Sequence, residues 1–351
     1  MNTPTHDGSV DGREWRGVRR LVTTAVVGGV VVALAAALFS GTHSLPDGVD
    51  GRTLAGLLAL AFVALACWGL SLHVVLVTLG AGVGPVRSVG LSLATKFVAN
   101  VAPFGQAAGA PVSGLLVASA TDLELERALT AVVTVSTLTS ATGVALGIVA
   151  LGGGGLGGST TARVAASAPL VVGLGALVVA GWRRRRRVAV LLAAVLTPLA
   201  RVVAPVHPRV DPPTREAVAA RVDGLFVAVE EIARAPRRVA LAVGFAACGQ
   251  VLTATCLWVA LDAVGSPVAF PLLLGVLPLA SVGTLVPSPG GTAGVEAALV
   301  GLLVSLAGMA LPLASAAVIL YRVATFWAPL PVCGVVAAAF GGRDVISLVR
   351  G

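Results

Sequence analysis

The sequence has few charged residues, and this scarcity excludes a water-soluble fold. Only 11% of its 351 residues are charged, whereas 57% are hydrophobic, and the mean hydropathy is +0.97. A soluble domain carries roughly a quarter charged residues, because charge is what keeps its surface wet. The composition therefore predicts a polytopic membrane protein.

Residues that bind metals or form disulfides are also scarce. The four cysteines lie inside apolar runs without metal-ligand spacing, and the four histidines are scattered along the chain without a metal-ligand cluster. Cysteines in such positions are typically small buried hydrophobes, so we expect no metal, no cofactor and no disulfide framework. The net charge of +8 could suggest nucleic acid. However, the arginines stand in loops between apolar runs, which is typical of membrane orientation, so we expect no nucleic-acid partner.

Long apolar runs are abundant. A helix needs about 20 apolar residues to cross the hydrocarbon layer. Six runs satisfy this and predict full spans: Leu21–Phe39, Leu54–Leu79, Leu129–Leu151, Val164–Trp182, Val239–Leu261 and Leu313–Phe340. Two further regions, Leu91–Ala120 and Pro271–Ala310, are interrupted by proline and glycine. The runs predict an all-α integral membrane helix bundle with six full spans and two re-entrant, broken helix pairs.

Arginine positions indicate the orientation, since cytoplasmic loops are enriched in arginine and lysine. Four arginines in residues 1–20 predict a cytoplasmic N-terminal tail, and Arg343 and Arg350 predict a cytoplasmic C-terminal tail over residues 341–351. This parity requires each broken region to enter and leave the membrane on the same side. Residues 21–340 are then one transmembrane domain in the cell membrane.

A basic segment, residues 183–238, interrupts this domain on the cytoplasmic side. Within it, Val188–Pro205 is short and flanked by arginine, so we expect it in the membrane interface; a crossing there would invert everything after it. Thr214–Ala235 repeats apolar residues at helical spacing and predicts an amphipathic helix on the cytoplasmic membrane face. A docking surface for a soluble partner is the alternative.

The two interrupted regions carry the most specific patterns. The first contains Asn100-Val-Ala-Pro103-Phe-Gly-Gln106, and the second Pro287-Ser-Pro289-Gly290-Gly291-Thr-Ala-Gly294-Val-Glu296. Irregular backbone at membrane depth is tolerated only where it is buried in protein or lines a cavity. Two such segments entering from opposite faces are the sequence sign of an inverted-repeat transporter with a midplane site. Packing kinks without function are the alternative.

Several residues near these breaks are candidates for binding a ligand. Glu296 is the only acidic residue well inside an apolar run, and Arg322 is the only arginine embedded in one, so we expect the two to pair. The pair predicts a site for an anionic or zwitterionic head group, with a structural salt bridge as the alternative.

Backbone and polar groups beside the breaks are further candidates. Gly290 and Gly291 would expose N–H groups as an anion site where the next half-helix starts. Lys96, the only lysine, is either a phosphate contact or an interfacial residue. Asn100 and Gln106 can hydrogen-bond a ligand or the broken backbone.

Val286-Pro-Ser-Pro-Gly-Gly-Thr-Ala-Gly-Val-Glu296, followed by Tyr321-Arg322, resembles the lysylphosphatidylglycerol synthase transmembrane-region family, also called flippase-like. Asn100-Val-Ala-Pro-Phe-Gly-Gln-Ala-Ala-Gly is similar to that family's first motif in an archaeal-type version. The resemblance covers the chain from Leu21 to Phe340 and implies a bundle with two re-entrant elements that handles or flips phospholipid. Full-length synthases add a soluble transferase domain, which this sequence does not contain, so the resemblance implies lipid handling rather than synthesis.

We therefore expect a translocator for phospholipid or polyprenyl-phosphate lipid. Without a Walker-type phosphate loop, passive scrambling or ion-coupled exchange is favoured. The alternative is a membrane subunit that binds lipid and presents it to a separate soluble aminoacyl- or glycosyltransferase. An intramembrane enzyme is disfavoured, because the sequence has no His–Glu metal pair, no Ser–His or Cys–His set and no second carboxylate near Glu296.

Overall fold

A computed structural model describes residues 50–101, 106–151, 227–286 and 291–341. These residues form helices and turns, and the described ranges contain no β-strand. The helices are α1 (Gly51–Thr78), α2 (Pro85–Val101), α3 (Gln106–Ala120), α4 (Leu125–Ala150), α5 (Pro236–Ala263), α6 (Phe270–Ala280), α7 (Gly294–Ala307), α8 (Leu311–Arg322) and α9 (Pro329–Gly341). A 3₁₀ segment, Ser281–Leu285, follows α6, and a π-helical segment, Val323–Trp327, joins α8 to α9.

Within the described ranges, four stretches are long and apolar enough to cross a membrane, namely Gly51–Thr78, Leu125–Ala150, Pro236–Ala263 and Leu311–Phe340. They coincide with four of the six expected spans, and the all-α polytopic bundle is confirmed. The other two expected spans, Leu21–Phe39 and Val164–Trp182, lie outside the described residues. Val188–Pro205 and most of the expected amphipathic helix also lie outside the described residues. The same holds for both terminal tails, apart from Gly341.

In both interrupted regions, separate described helices lie before and after the residues with the prolines and glycines. The first consists of α2, which ends before residues 102–105, and α3, which begins after them. The two helices pack side by side. A Cβ added to Gly109 would lie only 3.0 Å from Cα of Ala99, so the two helices touch through their backbones next to the break. The second consists of α6 with its 3₁₀ extension, followed by α7, which packs back against that extension. Each region is therefore a folded-back pair of short helices.

Among the described helices, α1 and α5 have the most extensive contact, although they are far apart in the sequence. The two broken pairs pack around these two helices. One apolar core is formed by α1, α5, α6, α7 and α8, with Leu57, Leu257, Leu273 and Leu299 fully buried. A second core lies at the other end of α1, where Leu79 and Leu91 are fully buried. The long helices α1 and α5 thus form the centre of the bundle, and the short helices of both broken pairs pack against it.

Residues 227–233 are helical and belong to the C-terminal part of the expected amphipathic helix. Ala228 and Ile232 are buried in the second apolar core, together with residues of α1 and α3. Glu231 binds Arg127 at 3.0 Å, and Arg127 also donates a hydrogen bond of 2.8 Å to the carbonyl of Leu79. This end of the segment therefore docks on the protein through its apolar side and through one ion pair.

Candidate functional site

Glu296 and Arg322 form an ion pair, as their isolation in apolar sequence suggests. Nε of Arg322 donates to Oε1 of Glu296 at 2.7 Å, and the side chains are 11% (Arg322) and 25% (Glu296) exposed. The pair is joined by one hydrogen bond only. Oε2 of Glu296 and Nη2 of Arg322 are buried and have no hydrogen-bond partner within the described part of the chain. Each ion thus keeps an unused hydrogen-bonding atom.

Helix ends stabilise both members of this pair. Glu296 lies in the first turn of α7, where the helix dipole favours a negative charge, and Arg322 is the last residue of α8, where it favours a positive one. Gly308, with φ of 65°, ends α7, and α8 begins three residues later and packs along it. Because the two helices form a hairpin, the start of α7 and the end of α8 meet, and the pair closes the hairpin.

The backbone ahead of Glu296 is tightly folded. Gly291 has φ of 67° and Ala293 has φ of 69°, a left-handed value that alanine rarely adopts. Gly294 packs so closely on the 3₁₀ segment that an added Cβ would lie 2.8 Å from Cγ2 of Val286 and would also collide with the carbonyl of Gly283. Strained backbone of this kind concentrates at functional sites. Close packing therefore requires glycine at positions 291 and 294, and that packing fixes the position of Glu296.

Arg322 is held from the other side by the π-helical segment that follows it. The Phe326 ring lies 4.2 Å from Cζ of Arg322, within cation–π distance, and stacks edge-to-face on Trp327. π-Helices appear mostly as single turns inside α-helices, and such turns are frequent at functional sites. Arg322 is thus fixed by a carboxylate on one side and an aromatic ring on the other.

A cavity of about 370 Å³ brings the two breaks together. Lys96 and Asn100 of α2, from the first interrupted region, line this cavity. Ser281 and Thr284 of the 3₁₀ segment, from the second interrupted region, also line it. Arg322 lines it as well. Residues that are distant in sequence, at the two interrupted regions, therefore line one cavity.

Lys96 stands between this cavity and a second one of about 330 Å³, and it lines both. Its Nζ lies 5.1 Å from the centre of the Trp68 ring, a cation–π contact. Trp68 also lines both cavities. The lone lysine of the sequence is therefore a cavity residue, and its ammonium is held over an aromatic face.

The remaining candidates fall into two groups. Gly291 and Gly294 build the turn before Glu296, and Gln106 is the first residue of α3. Pro103, Pro287, Pro289 and Gly290 lie outside the described residues, as does the Gln106 side chain.

Sequence reasoning missed Trp68, Gln250 and four hydroxyl residues of α4, which line the cavities. For α4 a signal exists, because Ser136, Thr137, Thr139 and Ser140 lie within five residues of one another in a membrane-spanning run. For Gln250, which donates to the carbonyl of Thr139 at 3.0 Å, the signal is an amide inside the apolar run of α5.

The fold and this site define a polytopic α-helical membrane protein with a polar cavity between two broken helix pairs. The family model for the lysylphosphatidylglycerol synthase TM region matches residues 14–333. The chain therefore belongs to the lysylphosphatidylglycerol synthase transmembrane-region family, as its two motifs suggest. None of the curated proteins compared with the chain matches it.

Proposed function

We propose that the protein binds the head group of a phospholipid or polyprenyl-phosphate lipid in the 370 Å³ cavity and moves the lipid between leaflets. The observation that carries the proposal is the Glu296–Arg322 pair, which is singly bonded, keeps an unpartnered atom on each ion and includes a residue of the cavity wall. Removing ions from water costs several kcal/mol each, and one hydrogen bond recovers only part of that cost. A phosphate that reaches Nη2 of Arg322 would supply the missing partner.

The shape of the site supports movement of lipid rather than chemistry on it. The cavity wall combines cationic and hydroxyl groups with apolar residues, and it is shared by two folded-back helix pairs. In transporters built from broken helices, such pairs hold the substrate while the surrounding bundle changes its opening. The family membership supports a role with lipid. We infer a non-enzymatic translocator that works by passive scrambling or ion-coupled exchange.

The proposal is tested with purified protein in liposomes that contain fluorescent phospholipids, by following leaflet exchange through dithionite quenching. We expect quenching beyond the outer-leaflet fraction for the wild type, and none beyond it for Glu296→Gln or Arg322→Gln. Glu230→Gln is the matched control, since it removes the same charge from an exposed pair with Arg234, and Glu230 does not line the cavity. Equal exchange in all four proteins would remove the buried pair from the mechanism.

The double variant Glu296→Gln/Arg322→Gln separates transport from a purely structural salt bridge. Breaking a buried pair on one side costs about 3–5 kcal/mol, and partial exposure lowers this figure here. Removing both charges eliminates the unpaired ion, so stability should recover in the double variant. If exchange recovers together with stability, the pair is only a structural lock. If the folded wild type exchanges no lipid at all, the subunit that presents lipid to a soluble transferase replaces the translocator.

A further inference from the structure

The buried ion pair presents two unused atoms of opposite kinds. Nη2 of Arg322 is a hydrogen-bond donor and Oε2 of Glu296 is an acceptor, and both are buried without a partner in the described part of the chain. A phosphate that binds Arg322 satisfies the donor only. It cannot satisfy the ionised carboxylate, because phosphate oxygens and carboxylate oxygens are both acceptors. The carboxylate therefore needs a hydrogen-bond donor of its own when the site is loaded.

The shape of the guanidinium places the two anions side by side. Nε of Arg322 already donates to Oε1 of Glu296 at 2.7 Å, and Nη2 is attached to the same carbon in the same plane. A phosphate at Nη2 would thus lie next to the Glu296 carboxylate, where two like charges repel. Two anions that share a site favour protonation of one of them. A proton on Oε2 turns this atom from an acceptor into a donor to the phosphate, so one proton satisfies both needs.

Few other groups near Glu296 can take this role. Within the described ranges, α7 packs mainly against α6, the 3₁₀ segment and α8. The sequences of α6 and the 3₁₀ segment contain no titratable residue, and α8 contributes only Tyr321 and Arg322. A phenol and a guanidinium both keep their protons at neutral pH. Lys96, which lines the same cavity as Arg322, is the one rival among the described residues around this site.

The position of Glu296 makes its charge conditional on Arg322. The start of α7 stabilises an ionised carboxylate, so Glu296 keeps its charge while Arg322 is bonded to it alone. The effect of the helix dipole is smaller than the cost of a buried ion whose partner is engaged elsewhere. Engagement of Arg322 by phosphate therefore shifts the balance toward the protonated acid, and departure of the phosphate shifts it back. Phosphate binding and proton binding are thus linked, and such linkage is reciprocal.

We propose that a proton is the coupling ion, that Glu296 carries it on Oε2, and that it is taken up together with the lipid phosphate that binds Arg322. The proton comes from the water on the side where the lipid enters, and it bonds to a carboxylate oxygen. On the other side the proton returns to water, the carboxylate again accepts from Arg322 alone, and the phosphate is released. One proton and one singly charged phosphodiester cross together, so the step moves no net charge. The inference rests on the proposed lipid translocation and adds what drives it.

The first test imposes gradients on liposomes that contain the wild type and a trace of fluorescent phosphatidylglycerol, a singly charged phosphodiester. With one proton per lipid, a difference of about one pH unit should enrich the label about tenfold in the leaflet that faces the alkaline side, as read by dithionite quenching. A potassium diffusion potential of about 59 mV at equal pH should give no enrichment, whereas an anion that moves alone would be enriched about tenfold. Protein-free liposomes and liposomes with Arg322→Gln are the controls for spontaneous redistribution.

The second test counts protons in detergent. Short-chain phosphatidylglycerol added to the purified protein in weak buffer should draw about one proton per bound lipid from solution, followed with a pH-sensitive dye. Glu296→Gln should bind the lipid without proton uptake, because the glutamine amide already supplies the donor. This variant cannot return to the charged form that releases the lipid, so it exchanges none. Glu230→Gln, which removes a carboxylate from an exposed pair, should take up a proton as the wild type does.

The outcomes separate the coupling from the translocation. Exchange without enrichment under the pH gradient, or enrichment under the potential, would overturn the proton coupling and leave lipid translocation standing. Both measurements use the wild type alone, so they hold even if Glu296→Gln does not fold. Proton uptake that persists in Glu296→Gln, or that Lys96→Gln alone abolishes, would overturn the role of Glu296, as would loss of lipid binding in Glu296→Gln. Exchange of no lipid by the folded wild type would overturn the proposed function and this inference with it.

Discussion

Gly249 of α5 offers a direct test of how the cavity wall is held in place. A Cβ added at this position would lie 2.7 Å from Cδ1 of Trp68 and would collide with the Nε1 atom of the same ring, whereas ordinary contact begins at 3.4 Å. Gly249→Ala would thus force the indole to move by more than about 0.7 Å, because the contact at Nε1 is tighter than the one at Cδ1, where the shortfall is about 0.7 Å. The ring carries the ammonium of Lys96 on its face, 5.1 Å from the ring centre, so the displacement reaches both cavities.

The energy can be isolated with Gly244→Ala in the same helix, where an added Cβ meets nothing within 4 Å. Both substitutions gain the helix propensity of alanine over glycine, about 1 kcal/mol, so this contribution cancels in the comparison. Gly249→Ala alone bears the cost of overpacking, which is about 1–3 kcal/mol. We therefore expect Gly249→Ala to be less stable than Gly244→Ala by that amount.

Thermal unfolding in detergent measures the stability difference, and dithionite quenching in liposomes measures transport. The Gly249→Ala protein should exchange lipid more slowly at temperatures where it remains folded, and Gly244→Ala should match the wild type. Equal stability and equal exchange for the two variants would refute the reasoning, because the indole would then not be wedged against α5. Lower stability with unchanged exchange would show that the position of Trp68 does not matter for transport.

Two further predictions concern packing. The Sγ atoms of Cys67 in α1 and Cys248 in α5 are 3.6 Å apart, so a mild oxidant should join them in a disulfide. The loss of two of the four thiols to alkylation would detect this bond. Four alkylatable thiols after oxidation would contradict the contact. Ala293→Gly should stabilise the protein by about 1 kcal/mol, because glycine relieves the strain at φ of 69° while its own flexibility offsets part of the gain. Chemical unfolding measures the change, and a loss of stability would mean that the alanine methyl group makes a packing contact that outweighs the strain.

Much of this site could be predicted from the sequence because charged residues and helix-breaking residues are rare in membrane spans. An acidic residue, an embedded arginine and two runs of proline and glycine are costly in hydrocarbon, so their presence already singles out Glu296, Arg322 and both breaks. From the sequence we expect these two residues to pair, because Glu296 is the only acidic residue well inside an apolar run and Arg322 is the only arginine embedded in one.

The rest of the site depends on tertiary packing that no local pattern encodes. Nothing in the sequence near Trp68 indicates that α5 carries a glycine against its ring, or that Lys96 lies over it. The hydroxyls of α4 are visible in the sequence, but serine and threonine are also common where they bond their own helix, as Thr137 does. Only the arrangement of α2, α3 and α4 shows that they share a cavity with Lys96.

The π-helical segment after Arg322 sets the rotational phase of the end of the bundle. An α-helix advances by about 1.5 Å per residue and completes a turn in about 3.6 residues, so one residue absorbed in a wider turn rotates everything downstream by one residue's share of a turn. Val323–Trp327 therefore decides which face α9 turns toward α2, where Gly334 meets Phe97. Conversion of this turn to regular α-helix would shift the register by one residue beside Arg322. That shift would rotate α9 about its axis against the first broken pair.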